Sequence, residues 1–201
     1  FLPEDEVHYV GQPVAVIAAD RPETAQLARK QSRLEIEERE PVFTIEQALA
    51  QEEFLGVSRK IERGDFTKAW KDAENRLEGT FHCNGQEHFY LESQAVLAWP
   101  GEEGQLHIHS STQNTSEIQQ VVAEALDLGF HQVVSDCKRM GGGFGGKETQ
   151  AAIPAVMAAL VAHKLKRPAR VVFSKDDDMK TTGKRHPFLI EYKAAFTDEG
   201  R

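Results

Sequence analysis

Between residues 138 and 150 the chain reads Lys-Arg-Met-Gly-Gly-Gly-Phe-Gly-Gly-Lys-Glu-Thr-Gln, five glycines gathered round the aromatic side chain of Phe144. Each glycine loses roughly 0.5–1 kcal/mol more conformational freedom than alanine when it is fixed, so such a run needs a compensating gain. A simple turn uses one or two. Upstream lies the strand-like run Gln132-Val133-Val134-Ser135-Asp136-Cys137. Downstream, Ile153, Val156, Met157, Leu160, Val161 and Leu165 recur at three- and four-residue spacing, which predicts a helix. The string therefore reads as a strand-to-helix loop opening on a helix N-terminus, where free backbone N–H groups attract anions.

Spacing separates three kinds of anion loop. Gly141 to Lys147 fits G-x-x-x-x-G-K, but Glu148 stands where a phosphate loop needs a hydroxyl for Mg²⁺. Gly141, Gly143 and Gly146 also satisfy G-x-G-x-x-G, with Asp176, Asp177 and Asp178 following a later strand, yet the preceding strand ends in Asp136-Cys137-Lys138-Arg139. That is too polar for the first, buried strand of a dinucleotide fold. A non-catalytic phosphate- or dinucleotide-binding module remains the alternative reading.

The whole string resembles the molybdenum-site loop of the molybdenum hydroxylases, the xanthine dehydrogenase and aldehyde oxidase family. Two further blocks agree in order along the chain: Gly85-Gln86-Glu87-His88-Phe89-Tyr90-Leu91-Glu92 and Thr182-Gly183-Lys184-Arg185-His186-Pro187-Phe188. The resemblance implies a mixed α/β (α+β) fold in two parts. Residues 1–56 would be the closing half of a hammerhead-like α/β domain, and 57–201 the truncated first part of the domain that binds the molybdopterin cofactor.

Composition fits such a piece. With 201 residues and 40% apolar content the chain can bury a core, and a net charge of −8 argues against a nucleic-acid surface. No apolar run approaches a membrane span, and no signal peptide is visible. Cys83 and Cys137 are too few and too far apart in sequence for a disulfide framework, which fits a reducing, cytoplasmic compartment. Phe1 at the start and a strand-like run ending in Thr197-Asp198-Glu199-Gly200 suggest a segment of a longer subunit.

Periodicity predicts a βαβ unit at the start: an apolar strand at 14–19, a helix to about residue 32 capped by Asp20 with Glu23, and a strand at 33–37. A short helix begins after Thr44. Beyond residue 65 come a short helix, then strands at 76–83, 88–99 and 105–110 read as one antiparallel stretch. A helix at 115–128 ending at Gly129, a strand at 131–139, another at 169–174 and a last at 188–196 complete the pattern.

By resemblance, Gln86 hydrogen-bonds the oxo ligand of molybdenum, which suits a neutral amide donor. Taken alone it is a turn glutamine in solvent. Phe144, with Gly143 and Gly145, would bring main chain to the cofactor and, with Gln86, form the environment of the metal; Phe144 can equally be a packing anchor. Glu148, expected in the first turn of a helix where a carboxylate is favoured, would contact substrate. An acid at that position favours a purine.

The resemblance implies hydroxylation of hypoxanthine and xanthine to urate with oxygen drawn from water, electrons leaving through iron–sulfur clusters and FAD in other domains or subunits. No catalytic residue is expected in this segment, which alone should be inactive, and its cut sheet edges favour self-association. His107 and His109 share one strand face but lack further donors for a metal site. Asp176 to Asp178 read as a helix start.

Overall fold

The computed structural model describes residues 2–200. Helices α1 (Pro22–Gln31), α2 (Ile45–Gln51) and α3 (Phe66–Asp72) come first, followed by strands β1 (Asn75–Cys83), β2 (Ala95–Pro100) and β3 (Leu106–Ser110). Then follow α4 (Thr115–Leu126), β4 (Val133–Asp136), α5 (Ala152–Leu165), β5 (Ala169–Val172), α6 (Lys175–Thr181) and β6 (Phe188–Phe196). The composition is mixed α/β, as expected. Contacts divide the chain into two units, one joining the residues up to Leu34 with Glu87–Arg185, the other joining Glu35–Gln86 with the segment from His186 onward.

In the larger unit four strands form a sheet in the order β4-β3-β2-β5. β2 is antiparallel to β3 and to β5, whereas β3 and β4 are parallel. A parallel pair needs a crossover, and α4 supplies it. The βαβ unit of this chain is therefore β3-α4-β4. The strands expected at 14–19 and 33–37 do not form; an apolar run becomes a strand only where neighbouring backbone pairs with it.

Helices α4 and α5 cover one face of this sheet. Val96, Ala98, Leu106, Ile108 and Val133 point inward from the strands against Ile118 and Val122 of α4. From α5 come Ala155, Ala158, Ala159 and Ala162, whose three- and four-residue spacing lets backbone approach backbone. Each large aliphatic side chain buried here contributes about 1.5–3 kcal/mol.

Helix ends differ in detail from the sequence pattern. α4 is capped by Asn114, whose side chain accepts from Glu117 N at 3.2 Å, and it ends with Asp127 in the left-handed region (φ 53) rather than at Gly129. Aspartate tolerates that conformation through its short polar side chain. α1 has Pro22 in its first turn, but its N-cap is Arg21 and makes no side-chain cap bond. Asp20 instead lies 3.0 Å from Arg167.

In the smaller unit, Thr44 and Gln47 form a capping box on α2 and Asp65 caps α3. β1 pairs antiparallel with β6 from Asn75↔Phe196 to Cys83↔Phe188. It does not pair with the strands that follow it in sequence. Leu77, Phe81, Ile190 and Tyr192 fall on one face of this ribbon, Glu78 and Lys193 on the other, 3.2 Å apart. Residues 88–94, expected as strand, are irregular, with Phe89 at φ 52.

Candidate functional site

Three residues hold the base of the glycine loop, and all belong to the larger unit. Gly141 N donates to Glu92 Oε2 at 2.8 Å, and Glu92 N donates back to Gly141 O at 3.2 Å. The same carboxylate oxygen lies 3.2 Å from Nζ of Lys147. Lys147 is fully buried; its ammonium also donates to Ser111 Oγ at 2.8 Å and Ser93 O at 3.4 Å, and lies 4.6 Å from the Tyr90 ring centroid. A buried cation is tolerable only when paired and hydrogen-bonded in this way.

The third residue is Gln113. Its Oε1 accepts from Gly145 N at 2.9 Å and from Lys147 N at 3.3 Å, while Lys147 O accepts from Gln113 N at 2.9 Å and Thr112 Oγ1 at 3.0 Å. Burial pushes the Lys147 ammonium below its usual range, with Glu92 opposing it. For Glu92, burial works upward, but bonds from Ser111, Gly141 and Lys147 outweigh it and hold the carboxyl below its ordinary value.

The glycines divide by purpose. A Cβ on Gly141 would lie 2.6 Å from Glu92 Cβ, one on Gly146 2.7 Å from His88 and Tyr90, and one on Gly143 would collide with the Gln113 amide. Those three make room for the chain's own side chains. At Gly145 (φ 89) an added Cβ meets only His88, at 3.9 Å, and beside it Phe144 (φ 53) is 74% exposed. The loop's tip, not its whole length, can admit another group closely.

Donors are also divided. The N–H groups of Gly141, Gly145 and Lys147 are taken by side chains and that of Gly146 by Gly143 O, at 2.7 Å. Those of Gly142, Gly143 and Phe144 have no acceptor among the described residues. Successive main-chain N–H groups with alternating handedness form an anion-binding concavity, and Gly142 (φ 97) and Phe144 (φ 53) supply the left-handed positions. The donor set and the open tip fit an anionic cofactor.

Other predicted residues are placed as follows. Glu148 is exposed but precedes α5, which begins at Ala152, so the loop passes through turns before the helix and Glu148 is not in its first turn. Gln86 is exposed, forms an isolated β-bridge and falls in the smaller unit. His109 Nε2 lies 2.5 Å from Asp136 Oδ1, and His107 stacks on Trp99 with centroids 5.3 Å apart. Among the described residues no cluster of three or more His, Cys, Asp or Glu could hold a metal ion.

A second buried network ties the other two motif blocks together. Asp178 is buried in α6; it accepts from Tyr90 Oη at 2.6 Å, Gln94 N at 2.7 Å and Thr182 Oγ1 at 3.2 Å. Burial, followed by the Asp178 contact, pushes the Tyr90 phenol well up. Lys184 Nζ lies 2.7 Å from Glu87 Oε2. The helix start expected at Asp176 to Asp178 is present, capped by Ser174. The inward role of Asp178 has no signal in its neighbours' charge pattern. Lys147 and Glu92 stand inside the quoted motifs, whereas nothing in a single sequence marks Gln113.

A sheet covered on one face by two helices, with an anion-receptive glycine loop following β4, is the class of structure that these observations define. The chain belongs to the molybdopterin cofactor-binding domain family, whose model matches residues 49–201. It is 45% identical over 199 residues to xanthine dehydrogenase of Calliphora vicina and 42% identical over 198 residues to the xanthine dehydrogenase/oxidase of Rattus norvegicus. Each match covers 98% of this chain and 15% of the relative.

Among solved structures, aldehyde oxidoreductase from Desulfovibrio gigas aligns with a TM-score of 0.61 at 28% identity, covering 68% of this chain and 15% of that one. Quinoline 2-oxidoreductase from Pseudomonas putida 86 aligns with a TM-score of 0.77 at 23% identity, over 91% of this chain and 24% of that one. The latter likeness is one of fold. No described helix is long and apolar enough to cross a membrane.

Proposed function

We propose that this chain is a segment of the molybdenum-bearing part of a xanthine dehydrogenase-like oxidoreductase that hydroxylates purines, in the cytoplasm, and that its glycine loop holds the molybdopterin cofactor. The observation that carries the reading is the run of three main-chain N–H groups, at Gly142, Gly143 and Phe144, without an acceptor among the described residues. When bound, a molybdenum–pterin group supplies two-electron redox chemistry and a route for water-derived oxygen. The chain's own residues bind and orient. Gly143, Phe144 and Gly145 present main chain to the group, Gln86 donates from its amide near the metal, and Glu148 orients the substrate.

The sequence spans 15% of the curated relatives' length, so the remaining cofactor-binding domain, iron–sulfur clusters and FAD are assigned to partners beyond it. The boundary between the hammerhead-like part and the cofactor part is placed near residue 56. The 201-residue chain alone is inert, and the half-exposed apolar face of the β1–β6 ribbon, with Leu77 and Phe81, favours its self-association. The test is Glu148→Ala in the full-length enzyme. A carboxylate bonded to a purine N–H contributes about 1.5–3 kcal/mol, so kcat/KM for xanthine falls roughly 10- to 100-fold while a substrate lacking that edge changes little. Equal losses for both substrates would remove the purine assignment.

A further inference from the structure

The glycine loop leaves only some of its main-chain donors open, and its neighbours decide which. Gln113 Oε1 takes two, Gly145 N at 2.9 Å and Lys147 N at 3.3 Å, on the flank that continues toward α5. Its own backbone is held on both sides. Gln113 N donates to Lys147 O at 2.9 Å, Asn114 N donates to Thr112 Oγ1 at 3.0 Å, and Asn114 caps α4. The amide is therefore carried on a fixed stem and meets the loop from the end of β3.

We propose that Gln113 is a positioning residue that fixes the Phe144–Gly145 peptide and leaves the N–H groups of Gly142, Gly143 and Phe144 as the ones presented to the anionic cofactor. The inference rests on the reading that this loop holds molybdopterin. Chemistry explains the residue type. An amide oxygen accepts two hydrogen bonds while adding no charge, whereas a carboxylate of the same length would accept them and also repel an anion a few ångströms away. The absent side chain at Gly143 belongs to the same device, since a Cβ there would occupy the position of the Gln113 amide. Gln113 is exposed at the surface, so replacing it leaves the core intact.

The experiment uses the full-length protein carrying Gln113→Ala or Gln113→Glu. Two quantities are read: hydrogen exchange at residues 142–147 in cofactor-free protein, and molybdenum and pterin retained per subunit after gel filtration of loaded protein. For Gln113→Ala, exchange at Gly145 and Lys147 rises about tenfold and cofactor retention falls several-fold, with the melting temperature little changed. Gln113→Glu keeps exchange slow and still loses cofactor.

Wild-type exchange at Gly145 and Lys147 in Gln113→Ala would overturn the proposal, as would full retention in both variants. A wild-type protein that holds no molybdenum pterin would instead contradict the reading of the loop. In that case the exchange result still decides whether Gln113 holds it.

Discussion

At the scale of single residues, Lys147 is the side chain whose environment departs furthest from its chemistry. It is fully buried, and one carboxylate oxygen of Glu92 serves both it and Gly141 N. Replacing Lys147 by Met removes the cation and leaves Glu92 unbalanced, at a cost of about 3 kcal/mol, the low end for a buried pair because Glu92 stays partly open to solvent. Adding Glu92→Gln recovers most of the loss, which equilibrium denaturation of the three variants measures.

The pH dependence follows from the depressed Glu92 carboxyl. Stability from a group whose folded pKa is lowered is complete above its ordinary value, 4.5, and is lost as pH falls toward the folded value. The melting-temperature gap between the chain and Glu92→Gln should therefore narrow below about pH 4.5; a gap that widens there would contradict the assignment. Lysine after the last glycine was legible as a letter of a motif. Its inward turn was not, because the partners Glu92 and Ser111 lie far off in sequence and burial is a property of the assembled sheet.

At the scale of elements, α4, α5 and the β3 strand make a two-layer core in which large aliphatic residues face alanines. Ile108→Ala should cost about 2–5 kcal/mol by opening a cavity. Ala158→Leu, on the opposing helix, should cost about 1–3 kcal/mol by overpacking; thermal denaturation checks both. Helices, and the strands of the β1–β6 ribbon, were readable from local signals, whereas the strands expected at 14–19 and 33–37 do not form. Thr44 and the change of pattern at Asp65 announce α2 and α3, Asp176 to Asp178 announce α6, and the strand-like runs 76–83 and 188–196 announce β1 and β6.

Pairing was less readable, because it depends on partners distant in the chain. β1 takes β6 rather than its sequence neighbour. The apolar run at 14–19 finds no strand beside it. The end of α4 at Asp127 shows the same limit on a smaller scale, since Gly129 offers the commoner stop two residues later.

At the scale of the whole molecule, the proposed reading makes this chain one part of a larger cofactor site. Its loop tip has the donors for an anionic group, and the sequence spans 15% of the length of the relatives it matches. The purified 201-residue chain should accordingly form no urate from xanthine and should self-associate. Phe81→Lys, which charges the apolar face of the β1–β6 ribbon, should shift it toward monomer by light scattering.

The resemblance was carried by three short blocks, and the structure gives two of them a physical link through Asp178, Tyr90 and the Lys184–Glu87 pair. The measurement closest to the central claim is molybdenum-edge anomalous diffraction from crystals of the loaded full-length protein. The account predicts the metal beside Phe144, with the N–H groups of Gly142, Gly143 and Phe144 turned toward the cofactor. Molybdenum bound elsewhere, with those three donors satisfied by protein, would contradict it.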